Sequence, residues 1–217
     1  MDNLREHINK LRKDFSLQSL NEQSVNKNPV IQFEQWFNEA MQAQIPEFNA
    51  FDLATVSEHG QPSLRILYLR DFSTHGFVFY TNYHSQKGRD IEVNPKICMN
   101  FFWPQMERQI RIQGIAQKQI TEDSDLYFNN RPKGSQIGAW ASVQSSVVEN
   151  REALDKLVQD ITNKFQDKEI PRPPHWGGYI VKPEKIEFWQ GRPSRLHDRI
   201  RYFINENEQW QIERIAP

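Results

Sequence analysis

The sequence predicts a mainly β protein in which an antiparallel sheet closes into a barrel and a few helices pack outside it. Short segments with an apolar period of two recur from residue 51 onward, which is the spacing of half-buried strands. The connections between them, such as 58–61 and 71–76, are rich in turn-forming residues. The helical segments do not alternate regularly with these strands, which argues against a parallel, doubly wound sheet.

Length, composition and charge are those of an ordinary globular protein. The 217 residues suit one large domain or two small ones and can bury a core without a disulfide or metal staple. Lys and Arg number 27 against 28 Asp and Glu, which argues against nonspecific binding of nucleic acid. The single Cys98 excludes an internal disulfide, and no apolar run reaches the length of a membrane span. Because the first residues lack the apolar core of a secretory signal, we expect a cytoplasmic protein.

The apolar residues are few but large. Hydrophobic residues make up only 37% of the chain, whereas 14 Phe and 6 Trp bring the aromatic share to 12%. Such a core is either complete within one chain or completed by burial against a second subunit, and composition leaves both alternatives open.

The first 28 residues are polar, with a short helix expected at 3–15 and a linker at 16–28. Asn28 followed by Pro29 is typical of a helix start, because asparagine caps the helix and proline suits its first turn. An apolar stripe at helical spacing then extends toward residue 45. Its members are Phe33, Trp36, Phe37, Ala40 and Met41.

Strand-like alternation covers 51–57, 64–70, 77–81, 96–103, 108–118, 178–181, 185–189, 195–203 and 209–215. From these segments we expect about seven strands. Helical signals interrupt them at 86–93 and at 121–129, where acidic residues lie in the first turn. A third, amphipathic helix is indicated by Leu154, Leu157, Val158, Ile161 and Phe165.

The segment 186–199 is the most informative for function. If 195–201 is extended, then Arg195, His197, Arg199 and Arg201 share one face. Such a row repels itself unless acids or anions neutralise it. Glutamates on a neighbouring strand would make it a solvated surface, whereas a planar anionic ligand would make it a binding site, because guanidinium groups bind phosphate and stack on rings. The pattern alone leaves both interpretations open.

Two further segments carry cations at places that suit anions. At 80–88 a strand ends, Ser85 can cap a short helix and Lys87 falls in its first turn, which favours a phosphate but also fits an ordinary capped helix. Arg65 and Arg70 are an odd number of residues apart, so pleating would place them on opposite faces. That geometry suits two phosphates on two ligands, or two ordinary edge arginines.

The segment 127–140 is expected to end a helix near residue 129 and to continue as a loop. Arg131, Lys133 and Ser135 on that loop would make either an anion-binding lid or a polar surface. Other chemistries have less support, because the six His and one Cys lack metal-ligand spacing and no nucleophile-elbow motif occurs.

Together these segments closely resemble the pyridoxamine (pyridoxine) 5′-phosphate oxidase family. Glu-Phe-Trp-Gln-Gly at 187–191 is followed by Arg-Leu-His-Asp-Arg at 195–199, and Arg-Pro at 131–132 precedes Ser-Gln-Ile-Gly-Ala-Trp at 135–140. Residues 173–178 also match, and the resemblance extends from about residue 30 to the C-terminus. It implies an FMN-binding split β-barrel over 29–217, preceded by a segment, 1–28, that covers the active site.

The resemblance also implies an activity and an assembly. Members are homodimers with FMN at the subunit interface. They oxidise pyridoxamine or pyridoxine 5′-phosphate to pyridoxal 5′-phosphate while reducing dioxygen to hydrogen peroxide. We therefore expect that the protein binds neither a membrane nor nucleic acid.

The matched positions imply the site residues. Arg195 and His197 would flank the substrate ring and be catalytic, Arg195 as a clamp above the flavin and His197 as an orienting group. The substrate phosphate would contact Arg70, Tyr127, Arg131 and Ser135. The flavin, with its phosphate on the lysine, would contact Arg65, Ile66, Leu67, Tyr68, Leu69, Arg70, Tyr80, Thr81, Gln86, Lys87, Gln109, Gln144, Ser145, Trp189 and Arg199.

Three positions depart from the family pattern. Arg70 stands where lysine is common, Gln86 replaces a common arginine, and Phe15 replaces a tyrosine in the covering segment, 12–15. Two rival classes also stay open. One is a split-barrel flavoprotein that holds FMN or carries pyridoxal phosphate without turnover, and the other is a module that binds single-stranded nucleic acid.

Overall fold

A computed structural model describes residues 2–11 and 14–217. The helices are α1 Asp2–Lys10, α2 Pro29–Gln42, α3 Gln86–Val93, α4 Thr121–Asn129, α5 Lys133–Ala141 and α6 Arg151–Lys164. The strands are β1 Ala50–Val56, β2 Pro62–Tyr68, β3 Asp71–Ser73, β4 Gly76–Asn82, β5 Lys96–Trp103, β6 Arg108–Lys118, β7 Trp176–Gln190, β8 Asp198–Ile204 and β9 Trp210–Arg214.

The strands form one sheet in the order β2-β1-β5-β6-β7-β4-β3, with β8 paired to β7 and β9 paired to β8. Antiparallel register is seen in β1–β2, β1–β5, β3–β4, β4–β7, β7–β8 and β8–β9. The predicted mainly β, antiparallel class is therefore confirmed. The described residues contain nine strands, so the expected number of about seven was too low.

Three differences from the sequence-based expectations have local causes. The segments 178–181 and 185–189 are one strand, β7, because Pro183 and the consecutive exposed residues Glu184 and Lys185 interrupt the sequence pattern while the backbone continues. The short strand β3 lies where only a turn was expected. Helix α5 replaces the loop predicted after residue 130, since its two glycines weaken the helical signal.

The chain divides into two compact units, one made of Met1–Phe48, Phe101–Arg111 and Lys185–Pro217, the other of Asn49–Asn100 and Ile112–Glu184. We call them the α2 unit and the β1 unit. No helix in the described part of the chain is long and apolar enough to cross a membrane.

The α2 unit packs helix α2 on aromatic side chains of the strands. The Asn28 side chain caps the helix by accepting from the Val30 N–H at 2.9 Å, as predicted. The buried Trp36 ring meets Phe188 edge-on with centroids 5.2 Å apart, and Phe188 meets Tyr202 at 5.6 Å. The predicted stripe is confirmed except at Met41, which is 49% exposed because it lies off the buried face.

The β1 unit has a second aromatic core. Phe79 packs against Phe51 and Tyr179, with ring centroids 6.0 and 5.5 Å away. Helices α4 and α5 cover a cluster formed by Phe128, Ile137, Phe165, Ile170 and Trp176. The helix predicted around Leu157 exists as α6. None of its own residues is fully buried, but Ile161 and the following Phe165 of the predicted stripe pack on this cluster, whereas Leu157 and Val158 are exposed.

Candidate functional site

A buried cation lies at the start of helix α3 in the β1 unit. Ser85 is the N-cap, and its Oγ accepts from the Gly88 N–H at 3.3 Å. Lys87 folds back in the first turn, with Nζ 3.4 Å from the Ser85 Oγ, and is only 7% exposed. Burial and the nearby Arg65 charge lower the pKa of Lys87 to about 8, although Asp90 opposes them. A side chain so placed lacks the solvation that its charge requires.

Arg65 is the second cation of this group. Its Nη1 donates to the Leu53 carbonyl at 3.1 Å and to the Thr55 hydroxyl at 2.7 Å, and its Nη2 donates to Ser63 at 2.7 Å. Burial lowers its pKa, and Asp90 partly offsets the shift. Neutral oxygens thus hold the guanidinium in place without neutralising it.

One carboxylate, Asp90, offsets part of the positive charge of these two cations. Asp90 accepts from the Thr55 hydroxyl at 2.6 Å, so part of its hydrogen-bonding capacity is already used. Gln86 is exposed and neutral, and its Nε2 lies 3.4 Å from the Ser63 hydroxyl. The excess positive charge, beside the N–H groups of a helix N-terminus, could hold an anion such as a phosphate. We call Thr55, Arg65, Ser85, Lys87 and Asp90 the Lys87 cluster.

Gly88 allows this arrangement because the backbone approaches closely there. A Cβ atom on Gly88 would lie 2.0 Å from the Tyr83 carbonyl oxygen, so any larger residue would displace the first turn of α3.

A second cationic group in the β1 unit is built on stacked aromatic rings. Tyr80 and Tyr127 stack with centroids 3.8 Å apart and planes 5° from parallel, and Trp176 lies 5.6 Å from Tyr80. The Arg131 guanidinium carbon lies 4.3 Å from the Trp176 ring centroid. With Arg70, these residues are the Arg131 cluster.

Arg131 is only partly satisfied by the protein. Its Nη1 is buried and has no hydrogen-bond partner within the described residues. Burial lowers the pKa of Arg131, and the Arg70 charge lowers it further against the opposing effect of Tyr127. Burial also raises the pKa of Tyr80 to about 12, with smaller contributions from Asp123 and Tyr127, so its hydroxyl stays protonated at neutral pH. A buried guanidinium N–H without a protein acceptor, beside a second cation, suits an anionic ligand.

Two small cavities meet at Arg131. The first has about 240 Å³ and is lined by Leu67, Tyr68, Arg70, Tyr80, Thr81, Asn82, Tyr127, Arg131, Gln144 and Trp176. The second has about 260 Å³ and shares Asn82, Arg131, Gln144 and Trp176, to which it adds Ser135. The residues predicted to bind the substrate phosphate thus line two neighbouring cavities of one unit.

Helix α5 changes the setting of two predicted residues. Lys133 and Ser135 lie in its first turn, not on a loop, and the Lys133 Nζ donates to the Gln166 carbonyl at 3.1 Å. Ser135 lines the second cavity together with Arg131, whereas Lys133 lines neither cavity but an open cleft that Arg131 also borders.

In the α2 unit, two of the arginines predicted in one row are neutralised by glutamates. Glu187 accepts from Arg199 Nε at 2.8 Å and from Arg111. Burial would raise the pKa of Glu187, but these hydrogen bonds and charges bring it below its ordinary value. Arg201 pairs with Glu213 on the adjacent strand β9. For Arg199 and Arg201, the interpretation as a face paired with acids is correct.

For Arg195 and His197, the expectation of a shared strand face is wrong. Strand β8 begins at Asp198, and Ser194 and Arg195 have positive φ angles of 56° and 61°, which no extended strand allows. The Arg195 side chain is exposed and forms no hydrogen bond or ion pair with residues 2–11 or 14–217.

His197 belongs to an aromatic group that also contains Trp189 and Phe15. The Trp189 and His197 ring centroids are 4.7 Å apart. The His197 Nδ1 accepts from the Arg192 backbone N–H at 3.1 Å, so in the neutral ring the proton resides on Nε2. We call Phe15, Trp189 and His197 the Trp189 cluster.

The remaining predicted cofactor residues are distributed over both units. Gln109 lies half-buried on β6 in the α2 unit, with Trp189 and Arg199 in the same unit. Ser145 is exposed in a turn with φ 71°. On β2, Ile66 is 65% exposed, while Leu69 just beyond it is buried. Of the covering segment 12–15, residues 12 and 13 lie outside the described part.

Sequence reasoning missed Thr55, Asp90 and Trp176. The Lys87-to-Asp90 spacing of three places both side chains on one face of α3, and this spacing could have pointed to Asp90. Nothing local marks Thr55, which reaches the site through strand pairing. Within the described residues, no group of three or more His, Cys, Asp or Glu is arranged to hold a metal.

Comparison with known proteins gives consistent matches. Residues 37–165 match the sequence model described as pyridoxamine 5′-phosphate oxidase, and residues 176–217 match the pyridoxine 5′-phosphate oxidase C-terminal dimerisation region. Pyridoxine/pyridoxamine 5′-phosphate oxidase of Gloeothece citriformis is 51% identical over 207 residues, covering 95% of this chain and 97% of that protein. The protein of the same name from Acaryochloris marina is 49% identical and covers 100% of this chain and 99% of its own length.

Solved structures extend the likeness to the fold. PhzG from Burkholderia lata, in complex with tetrahydrophenazine-1-carboxylic acid, has a TM-score of 0.87 and 27% identity, covering 93% of this chain and all of that one. A pyridoxamine 5′-phosphate oxidase-related, FMN-binding protein from Nostoc punctiforme has a TM-score of 0.68 at 18% identity, covering 85% of this chain and 97% of that one. The second likeness concerns the fold alone.

Proposed function

Because the chain belongs to the pyridoxamine 5′-phosphate oxidase family, we propose that it oxidises pyridoxamine or pyridoxine 5′-phosphate to pyridoxal 5′-phosphate with FMN as cofactor. The alcohol would lose two hydrogens, and dioxygen would gain them as hydrogen peroxide. The amine would in addition consume one water and release ammonia. The split-barrel fold expected for this family is the fold of the chain.

One observation carries the proposal: the β1 unit contains two separate pairs of cations that its own acids do not neutralise. Arg65 and Lys87 form one pair, and Arg70 and Arg131 form the other. Cofactor and substrate of the proposed reaction each bring one phosphate, so two anion sites are what the reaction requires. A protein that bound only FMN would need one such site.

The Lys87 cluster fits the phosphate of FMN. The Lys87 ammonium, the Arg65 guanidinium and the first N–H groups of α3 would contact its oxygens. Trp189, Gln109 and Arg199 are proposed to contact the remainder of the flavin. Bound FMN would supply the two-electron redox chemistry that no amino-acid side chain provides.

The Arg131 cluster fits the phosphate of the substrate. The orphan Nη1 of Arg131 would gain its missing acceptor, and Arg70, Tyr127 and Ser135 would complete the shell. Arg195 would then bind the substrate ring in the required orientation, and the His197 Nε2 proton would hydrogen-bond to its polar substituents.

The assembly is also part of the proposal. Residues 176–217 match a dimerisation region, so the chain carries the segment through which this family forms dimers. We propose a homodimer with FMN at the subunit interface, in which residues 29–217 act as one domain and the segment 1–28 covers the active site.

The direct test is to purify the protein, record its visible spectrum and measure peroxide and pyridoxal 5′-phosphate after each ester is added in air. We expect a flavin spectrum and equal amounts of the two products. Unphosphorylated pyridoxine is the control and should react poorly. A flavin spectrum without peroxide would identify a carrier, and a colourless protein that does not take up FMN would refute the proposal.

The variant Arg131→Met should raise the KM for pyridoxine 5′-phosphate by about 10- to 100-fold, because a hydrogen-bonded charge contributes about 1.5–3 kcal/mol. Flavin content should not change. The matched control is Lys133→Met, which removes a neighbouring cation that does not line the two cavities of the proposed phosphate site. Steady-state kinetics give the KM of both variants, and an unchanged KM in Arg131→Met would rule out this phosphate site.

The affinity for FMN should fall as the pH rises above about 8. In the free protein Lys87 loses its proton near that pH, whereas a bound phosphate requires the charged form, so binding takes up a proton. The decrease should approach about tenfold per pH unit. Fluorescence titrations of the apoprotein between about pH 7 and pH 9 avoid the phosphate's own pKa near 6. Lys87→Arg should give a flat profile, and a flat profile in the unaltered protein would contradict the assignment.

A further inference from the structure

We propose that Glu107 is a positioning residue that holds the segment 14–20, here called the strap, so that Phe15 packs on His197 and Trp189. The proposal rests on the proposed function, since His197 and Trp189 are the site residues that the strap contacts. It assigns a role to an acid in a turn far from the strap in sequence. All the residues involved belong to the α2 unit.

The Glu107 carboxylate binds the strap directly. Its Oε2 accepts from the backbone N–H of Ser16 at 2.9 Å and of Leu17 at 3.1 Å. Glu107 is only 4% exposed, so these charge-assisted bonds are formed away from water. A buried carboxylate that accepts two adjacent backbone N–H groups fixes the direction of that backbone as well as its position.

The main chain of Glu107 is fixed to the strand that carries Trp189. Its carbonyl accepts from the Gly191 N–H at 2.8 Å and from the Gln190 Nε2 at 3.2 Å. The residue therefore links the strap, through its side chain, to the end of β7, through its backbone. Changing the side chain removes the first link and leaves the second.

Further along, the strap is held by other groups. The Gln18 side chain accepts from Arg108, and its carbonyl accepts from Arg192 Nη1 at 3.2 Å. The Leu20 N–H donates to Asp198 Oδ2 at 3.0 Å. Nearer Phe15, the exposed Asp14 Oδ1 accepts from the Ser194 N–H at the longer distance of 3.4 Å. Because residues 18–20 have separate anchors and the Asp14 contact is long, loss of the Glu107 contacts should loosen the part of the strap nearest Phe15 and leave the rest docked.

Phe15 is the residue through which the strap reaches the site. Its ring lies edge-on to Trp189 and His197, with centroids 5.7 and 5.5 Å away. It packs so tightly that a Cβ on Gly191 would lie 2.8 Å from it. Without a hydroxyl, Phe15 acts by shape and by excluding water from one side of His197.

Because of this arrangement, the strap should affect substrate binding, measured as KM, and not the rate of turnover, kcat. With the strap docked, the His197 ring is covered before substrate arrives, so substrate binding does not have to order the strap. When the strap is released, the Arg192 N–H still orients the His197 ring. We therefore expect loss of Glu107 to raise KM while kcat stays nearly constant.

The test compares two substitutions of Glu107. Glu107→Gly removes the carboxylate at a φ of 55°, where glycine is relaxed, and Glu107→Gln keeps an oxygen acceptor. Glu107→Gly should raise the KM for pyridoxine 5′-phosphate about tenfold with kcat within about twofold, and Glu107→Gln should restore most of the loss. Glu213→Gln removes a partly exposed carboxylate that pairs with Arg201 and should change neither parameter.

A double-mutant cycle tests whether Glu107 acts through Phe15. Phe15→Ala should raise KM as Glu107→Gly does, and the double variant should be no worse than either single one. Additive effects, or an unchanged KM in Glu107→Gly, would overturn the proposal. If Glu107→Gly does not fold, an unchanged KM in Phe15→Ala overturns it equally.

A spectroscopic measurement separates this proposal from the proposed function. In protein labelled with 5-fluorotryptophan, the fluorine resonance of Trp189 is identified by its loss in Trp189→Phe. Glu107→Gly should shift that resonance toward its position in Phe15→Ala. A shift in a protein without oxidase activity would support the positioning role and refute the function, whereas an unmoved resonance in an active enzyme would refute the positioning role alone.

Discussion

Lys87→Met is expected to lose FMN during a dialysis that leaves the unaltered protein yellow, with an affinity about 100-fold lower. Lys87 is buried, forms no ion pair with a described residue, and lies at the first turn of a helix beside a second cation. A charged hydrogen bond of this kind contributes about 1.5–3 kcal/mol, and about 2.7 kcal/mol corresponds to the 100-fold loss. Methionine is unbranched and nearly as long as lysine, but it lacks the charge and the hydrogen-bond donors of the ammonium.

The same variant should not be destabilised in the absence of flavin. Burial and Arg65 both disfavour the charged Lys87, so below about pH 8 the free protein carries an unfavourable ammonium that methionine removes. The melting temperature of Lys87→Met apoprotein should therefore equal or exceed that of the unaltered apoprotein. Added FMN should raise the melting temperature of the unaltered protein much more than that of Lys87→Met.

Lys118→Met is the matched control for the flavin measurement. Lys118 is an exposed lysine of the same unit that lies 4.8 Å from the Tyr83 ring centroid, outside the Lys87 cluster. Its loss should leave the flavin content unchanged. If Lys87→Met retains its flavin through dialysis as well, the phosphate does not bind at α3.

The predictable parts of the site are those with local signals. Asn28 and Ser85 cap their helices as predicted, because capping depends on residues that are adjacent in sequence. The proximity of Arg65 to Lys87 could not be predicted from spacing, since it depends on the pairing of β1 with β2 and on where α3 packs. The family resemblance identified both residues without that geometry.

The wrong predictions share one physical cause, which is that the pattern of side chains in a sequence does not determine the local backbone geometry. The alternation from Arg195 to Arg201 looked like one strand, but positive φ angles at Ser194 and Arg195 turn the chain before β8 begins. Glu107 carried no signal at all, because a single acid in a turn is common. Its role depends on a strap about 90 residues away in sequence, as the hydrogen bonds from Ser16 and Leu17 show.

Arg195 has two structural features that are expected of a residue that binds a ligand. Two consecutive non-glycine residues with positive φ cost about 1–3 kcal/mol each, and such strain is concentrated at functional sites. The exposed guanidinium forms no hydrogen bond or ion pair with residues 2–11 or 14–217, so the fold does not require it. A strained backbone that presents an unused cation is expected where a ligand needs that cation.

Arg195→Leu should therefore lower kcat by about 100- to 1000-fold with both esters, as loss of a preorganised electrostatic contact does, while flavin content stays unchanged. Arg195→Gly should lose the same activity but gain thermal stability, because glycine adopts a φ of 61° without strain. Opposite effects on activity and stability in one variant separate a catalytic role from a structural one. Peroxide assays and thermal melts of the flavin-loaded proteins supply both measurements, and turnover within about threefold of normal in either variant would remove Arg195 from the mechanism.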